Sequence, residues 1–193
     1  VFEDNYIAEI ISDASEISLS SKVFQMITYF FRMPRASWNR RDFFKKFNDQ
    51  WGHLTGDKVL ITISAAMSAI LRKEDCLCRF GGEEFAILIP ETDAVGLASL
   101  AERLRQTVKQ AEVKVNGTAL SVTISLGACL ITASEKIDPK TLLDRADKAL
   151  YLAKTNGRNC AALFPDGLLR RAAVHRGINE IQIISPDLII SQN

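Results

Sequence analysis

Cys76-Leu77-Cys78-Arg79-Phe80-Gly81-Gly82-Glu83-Glu84-Phe85-Ala86-Ile87-Leu88-Ile89-Pro90 is the stretch whose reading decides this chain. Two apolar runs flank a Gly-Gly pair and Pro90 ends the second, which is the pattern of a β-hairpin. The tip places Glu83 and Glu84 directly after two residues without side chains. An isolated Glu-Glu pair at a turn is ordinarily a solvated surface feature. Here the glycines let a bulky ligand approach the backbone closely, and carboxylates beside such a gap suit a Mg²⁺ carrying phosphates.

On either side of this hairpin the periodicity is helical. Val59, Ile63, Met67 and Ile70 predict a helix over 54–72, and Leu97, Leu100, Ala101, Leu104 and Val108 another over 95–112. Asn116-Gly117 marks a turn before a long β-branched strand, Leu120 to Ile131. Asp138 and Pro139 open a third helix, with a core stripe of Leu142, Ala146, Ala149, Leu150 and Ala153; Gly157 closes it and Cys160 to Phe164 reads as a last strand. Helices alternating with a hairpin and strands imply an α+β sandwich, one sheet with helices packed on it. At the N-terminal end, Ile7, Ile10, Ala14 and Ile17 recur at helical spacing. The tail after Pro165 carries a basic patch (Arg170, Arg171, His175, Arg176), then strand-like runs Ile181 to Ile184 and Leu188 to Ile190.

The 193 residues carry 24 Lys+Arg against 23 Asp+Glu, a formal charge of +1, and 47% are hydrophobic. That composition excludes a disordered chain and leaves no global field for nucleic acid, so bound anions must be met by local groups. Phe85 to Ile89 and Ala149 to Ala153 are the longest uninterrupted aliphatic-aromatic runs, far short of a membrane helix, and the opening residues are not expected to act as a signal peptide. No membrane contact is expected of this stretch. Val1 in place of Met fits the expectation of a piece of a longer parent whose membrane parts are absent. Cys76, Cys78, Cys129 and Cys160 form no CxxC pair, and two His argue against zinc. Cys76 and Cys78 share one face of a strand and are awkwardly placed for a disulfide. Reduced thiols in the cytoplasm, or on the cytoplasmic side of an inner membrane, are the expectation.

Two further clusters bear on chemistry. In Asp42-Phe43-Phe44-Lys45-Lys46-Phe47-Asn48-Asp49-Gln50-Trp51-Gly52-His53-Leu54-Thr55-Gly56-Asp57, the Asn48 and Asp57 side chains suit the edge of a purine and Lys45 suits a phosphate. Taken alone, such a mixed aromatic and charged stretch before a helix is usually a capped loop. Lys154 and Gly157-Arg158-Asn159 end the last helix, where cations are also favoured by the helix dipole alone.

Together the three clusters, in this order, closely resemble the GGDEF domain in its GGEEF form, the family of diguanylate cyclases. The resemblance rests on Arg79-Phe80-Gly81-Gly82-Glu83-Glu84-Phe85, on Phe44-Lys45, Asn48-Asp49, Gly52-His53 and Gly56-Asp57 upstream, on Thr123-Ile124-Ser125-Leu126-Gly127, and on Ala146-Asp147, Leu150-Tyr151, Ala153-Lys154 and Gly157-Arg158-Asn159. It spans residues 42–164 and implies a palm-like fold with a central, mostly antiparallel sheet flanked by helices. It further implies a homodimer that condenses two GTP into cyclic di-GMP with loss of two pyrophosphates. By position, Asn48 and Asp57 would read guanine. Phe43, Phe44 and Lys45 would support the β- and γ-phosphates, and Lys154 and Arg158 would reach the terminal one. Gly81 and Gly82 would lie against the nucleotide, and Glu83 and Glu84 would hold Mg²⁺, with Mn²⁺ as the alternative metal. Arg72-Lys73-Glu74-Asp75 fits the RxxD of the family's product-inhibition site, with Arg103 nearby as a contributor. The competing reading is a surface ion pair between Arg72 and Asp75.

One departure stands out. Family members carry a helix and a buried strand between their Asn-Arg-Arg and the stretch that starts here at Asp42, and that strand ends in a metal-ligating aspartate. Here Asn39-Arg40-Arg41 runs straight into Asp42, with Arg40 at the aspartate's position. Either residues of the parent are missing at this junction, or the chain has a true deletion, or the run Lys22 to Phe31 takes the strand's place. The expected organisation is an N-terminal helical segment or linker (1–38), a GGDEF domain (39–164) and a C-terminal extension (165–193). Against the active enzyme stands a catalytically impaired domain that serves as a GTP or cyclic di-GMP receptor.

Overall fold

In a computed structural model, residues 24–32, 43–115, 117–131, 138–164, 167–171 and 181–184 are described. The strands are β1 Phe24–Arg32, β2 Cys76–Gly81, β3 Glu84–Pro90, β4 Glu112–Val115, β5 Thr118–Ser121, β6 Thr123–Leu130, β7 Ala161–Phe164, β8 Gly167–Arg171 and β9 Ile181–Ile184; the helices are α1 Phe43–Trp51, α2 His53–Ser68, α3 Ala94–Gln110 and α4 Pro139–Thr155. Seven strands form one sheet in the order β2-β3-β1-β6-β7-β8-β9, while β4 and β5 form a separate hairpin.

The sheet separates two cores, and the period-2 alternation of β3 shows the division. Phe85, Ile87 and Ile89 join Val59, Leu60, Ile63 and Met67 of α2 and Leu97, Leu100 and Leu104 of α3. Ala86 and Leu88 face the other way, toward Leu142 and Ala146 of α4. Helix α4 is seated especially close. A Cβ on Gly127 would lie 2.2 Å from the Ala146 carbonyl oxygen and 2.2 Å from the Leu150 nitrogen, so only glycine admits this helix at this distance.

Most expected elements are present with shifted ends, and three differ in kind. The stretch beginning Phe43-Phe44 is a nine-residue helix rather than a capped loop. Phe44, Phe47 and Trp51 fall on one face at i, i+3 and i+7 and stack in succession, with ring centroids 6.3 and 6.4 Å apart. The intervening Lys45, Lys46 and Asp49 obscure that stripe in the sequence. The single long strand expected from Leu120 to Ile131 is divided between β5 and β6. The third difference decides the fold: Phe24–Arg32 is neither helix nor linker but a central strand. β1 runs antiparallel to β3 from Phe24 opposite Pro90 to Phe30 opposite Glu84, and antiparallel to β6 from Gln25 opposite Leu130 to Arg32 opposite Thr123. Without it, the inner edges of β3 and β6 would bury unpaired N–H and C=O groups. The strand Phe24–Arg32 overlaps the run from Lys22 to Phe31 that the third arrangement puts in the missing strand's place. At the other end, β8 pairs with β7 and β9 with β8, so this part of the C-terminal extension continues the same sheet. The helical spacing from Ile7 to Ile17 and the run Leu188 to Ile190 lie outside the described residues.

Candidate functional site

The hairpin tip is a two-residue turn, Gly82 and Glu83, with Gly82 at φ 38° and Gly81 paired to Glu84. Arg79 holds it: its Nε and Nη2 donate to the Gly82 carbonyl oxygen at 2.9 and 2.6 Å. Among the described residues, chain neighbours aside, no atom lies within 4 Å of a Cβ built on Gly81 or Gly82, so the space above the turn is open. Glu84 is exposed and Glu83 partly so.

Lys154 lies in the last turn of α4. Burial holds its pKa below the ordinary lysine range, an effect opposed by the negative charges of Glu84, Asp147 and Glu83 and reinforced by Arg158. Lys154 therefore lies within the electrostatic reach of Glu83, Glu84 and Arg158. Arg158 follows Gly157 (φ 97°) in a helix-ending turn, and its backbone N–H reaches the Ala153 carbonyl at 3.1 Å.

A second grouping lies at the junction of α1 and α2. Gly52, at φ 82°, turns the chain between the two helices. Asn48 packs against the first turn of α2, where a Cβ on Gly56 would lie 2.0 Å from its Oδ1; that buried oxygen has no hydrogen-bond donor among the described residues. Asp57 is exposed rather than enclosed. Phe43, Phe44 and Lys45 form the first turn of α1, whose backbone N–H groups lack helical acceptors and suit an anion. The Phe44 ring itself is in the core, so a phosphate contact from this residue is confined to its backbone.

The third grouping is the RxxD turn between α2 and β2. Asp75 Oδ2 accepts from the Arg72 backbone N–H at 2.8 Å, and the Asp75 N–H returns to the Arg72 carbonyl at 3.2 Å. The surface ion pair considered above is therefore not formed: the carboxylate braces the turn and the Arg72 guanidinium is left exposed. Arg103 of α3 donates to the Ile70 carbonyl at 3.0 Å, which brings it to the same end of α2.

Sequence reasoning missed the residues that hold these groups in place. Arg79 was part of a motif without a role. Glu102 and Arg105, at the i, i+3 spacing of an ion pair, are the legible signal for a guanidinium that also reaches Asn159.

The metal expectation is met only in part. Among the described residues no three His, Cys, Asp or Glu side chains gather as a cation site. The strand beside the hairpin, FQMITYFFR, has no acid, and Arg32 ends it. Glu83 and Glu84 alone suit a Mg²⁺ whose other ligands are nucleotide phosphates and water, which is how Mg²⁺ commonly sits with such substrates.

The three-layer architecture and this acidic, glycine-tipped hairpin define an α+β domain of the nucleotide-cyclase type. Residues 40–160 match the family model described as diguanylate cyclase, GGDEF domain, and the chain belongs to that family. It is 38% identical over 130 residues to Diguanylate cyclase A of Treponema denticola, covering 66% of this chain and 34% of that one. It is 42% identical over 120 residues to Response regulator PleD of Caulobacter vibrioides, covering 61% and 26%. The chain thus spans about a third or less of these relatives' lengths. Among solved structures, it resembles the active GGEEF domain of a diguanylate cyclase from Vibrio cholerae (TM-score 0.67, 25% identity, 84% of this chain and 96% of that one). It also resembles the GGDEF domain of DgcB from Caulobacter crescentus in complex with c-di-GMP (TM-score 0.68, 27% identity, 82% and 87%).

Proposed function

We propose that this domain binds GTP and, faced by a second copy, condenses two GTP into cyclic di-GMP with release of two pyrophosphates. The observation that carries the reading is Lys154, partly desolvated and under the charges of Glu83, Glu84 and Arg158. A lysine so desolvated gains from a triphosphate, whose charge offsets the hydration that burial removed. Arg158 adds a fork-shaped donor for the terminal phosphate. The first-turn N–H groups of Phe43, Phe44 and Lys45 supply donors for the inner phosphates. Asn48 Oδ1, buried without a donor, has the acceptor capacity that guanine N–H groups would satisfy, and Asp57 adds a second acceptor. Gly81 and Gly82 leave room for the nucleotide. Glu83 and Glu84 would hold Mg²⁺, or Mn²⁺ in its place, which when bound neutralises phosphate charge and makes the attacking 3′-hydroxyl more acidic. Each 3′-hydroxyl then bonds to the other nucleotide's α-phosphorus as the bond to pyrophosphate breaks, so neither half-site suffices alone.

The exposed Arg72 guanidinium, with Asp75 and Arg103 beside it, suits the phosphate and guanine edges of the product. No helix among the described residues is long and apolar enough to cross a membrane; the reading places the domain in the cytoplasm, free or on a longer parent. A second reading has one observation in its favour: β1 lacks the acid that the family resemblance implies, which suits a receptor for GTP or cyclic di-GMP that does not turn over. A pyrophosphate-release assay with GTP and Mg²⁺, run beside calorimetry with GTP and with cyclic di-GMP, separates them. Product formation supports the cyclase. Nucleotide binding without pyrophosphate overturns it in favour of the receptor.

A further inference from the structure

The turn that carries Arg158 has an unusual backbone. After Gly157, both Arg158 (φ 62°) and Asn159 (φ 48°) are left-handed; asparagine takes this conformation readily, whereas arginine does so seldom and is held there by its surroundings. The imposing groups come from elsewhere in the fold. Arg105 of α3 is forked onto Glu102, Nε to Oε2 at 2.7 Å and Nη2 to Oε1 at 2.8 Å. Its remaining nitrogen, Nη1, donates to Asn159 Oδ1 at 2.7 Å and to the Asn159 carbonyl at 3.2 Å. Gln106 braces Glu102 at 2.9 Å, and the Asn159 N–H donates to Ser125 Oγ of β6 at 3.2 Å. Arg105 and Glu102 form a largely buried ion pair, with side chains 12% and 19% exposed. A fork with one nitrogen to spare is a geometry lysine cannot reproduce.

We propose that Arg105, oriented by Glu102, is a positioning residue for nucleotide binding: it clamps Asn159 and so holds Arg158 in place for the triphosphate. The inference rests on the triphosphate reading of Arg158 given above. A merely structural ion pair would hold α3 to the end of α4 and would weaken all nucleotide binding alike. The clamp instead acts through one guanidinium, so its loss falls on the terminal phosphate.

The test is a double-mutant cycle on the 193-residue chain. Binding of guanosine 5′-(β,γ-imido)triphosphate and of GDP, each with Mg²⁺, is measured by calorimetry for wild type, Arg158→Ala, Arg105→Gln and the double variant. Loss of a charge-assisted contact predicts that Arg158→Ala weakens the triphosphate about tenfold and GDP less than about twofold. Arg105→Gln is expected to show the same selectivity, about three- to tenfold, and the double variant to bind no worse than Arg158→Ala. Equal losses for both nucleotides in Arg105→Gln, or losses that multiply in the double variant, overturn the clamp alone. Absence of a selective loss in Arg158→Ala overturns the triphosphate reading and the clamp with it. Should Arg105→Gln fail to fold, Arg105→Lys keeps the charge, loses the fork and is read by the same criteria.

Discussion

Replacing Gly127 by alanine perturbs the contact on which the site's cations depend. Gly127 lies on β6 under α4, and the new methyl would meet two backbone atoms at 2.2 Å and the Leu150 Cβ at 2.6 Å. Relief to ordinary contact at 3.4 Å requires the helix and strand to separate by about 1.2 Å, since neither backbone atom can swing aside. Overpacking of this kind costs about 3 kcal/mol or more when the obstruction is rigid. For a chain of this size that corresponds to a melting temperature lowered by roughly 6–12 °C. Lys154 is on α4 and Arg158 is in the turn that ends it, so triphosphate binding should weaken in the same variant. Gly81→Ala is the control: among the described residues, chain neighbours aside, nothing lies within 4 Å of its added Cβ, so stability should hold while nucleotide approach is hindered. Thermal unfolding by circular dichroism, with and without GTP, measures both. A Gly127→Ala melting point within about 2 °C of wild type would show that α4 is not seated on the β6 backbone as described.

Other outcomes follow from the same geometry. Glu84 is exposed at the hairpin, so Glu84→Ala should abolish cyclic di-GMP formation with an unchanged melting curve; residual turnover near wild type would remove it from the site. Asp57→Ala should raise KM for GTP and narrow the preference over ATP, and unchanged selectivity would place guanine recognition elsewhere. Lys154 has a folded pKa below its unfolded value, so between the two the unfolded chain binds more protons and stability rises with pH. Lys154→Met should flatten that rise in denaturant titrations up to the ordinary lysine range while weakening triphosphate binding, and an unaltered pH slope would refute the assignment. Arg72→Ala should relieve product inhibition at an unchanged KM for GTP; superimposable inhibition curves for variant and wild type would exclude this turn as the product site. The Cys76 thiol is drawn down to about 7 by its hydrogen bond with Cys78, whose own pKa is raised, so mass spectrometry after brief iodoacetamide treatment at neutral pH should find Cys76 alkylated first.

The sequence by itself determined the hairpin, α2 to α4 and the residues that can meet a nucleotide. Those features are local. A glycine-containing turn between apolar runs, an Asp-Pro helix start and a glycine helix end are each specified within a few residues by backbone conformation and capping. The Asp93 cap of α3 and the Asp138 cap of α4, accepting from the Gly96 and Thr141 N–H groups at 2.7 and 3.0 Å, follow the same local rule. Only the tertiary structure decided which strand fills the centre of the sheet, because strand pairing between Phe24–Arg32 and the distant β3 and β6 leaves no signature in spacing. It also decided that Asp75 braces a turn instead of pairing with the Arg72 side chain, and that Arg105 reaches across from α3 to Asn159. A carboxylate's or guanidinium's partner is whichever donor or acceptor folding brings within about 3 Å, and for groups far apart in the chain that distance is set by packing rather than by sequence separation.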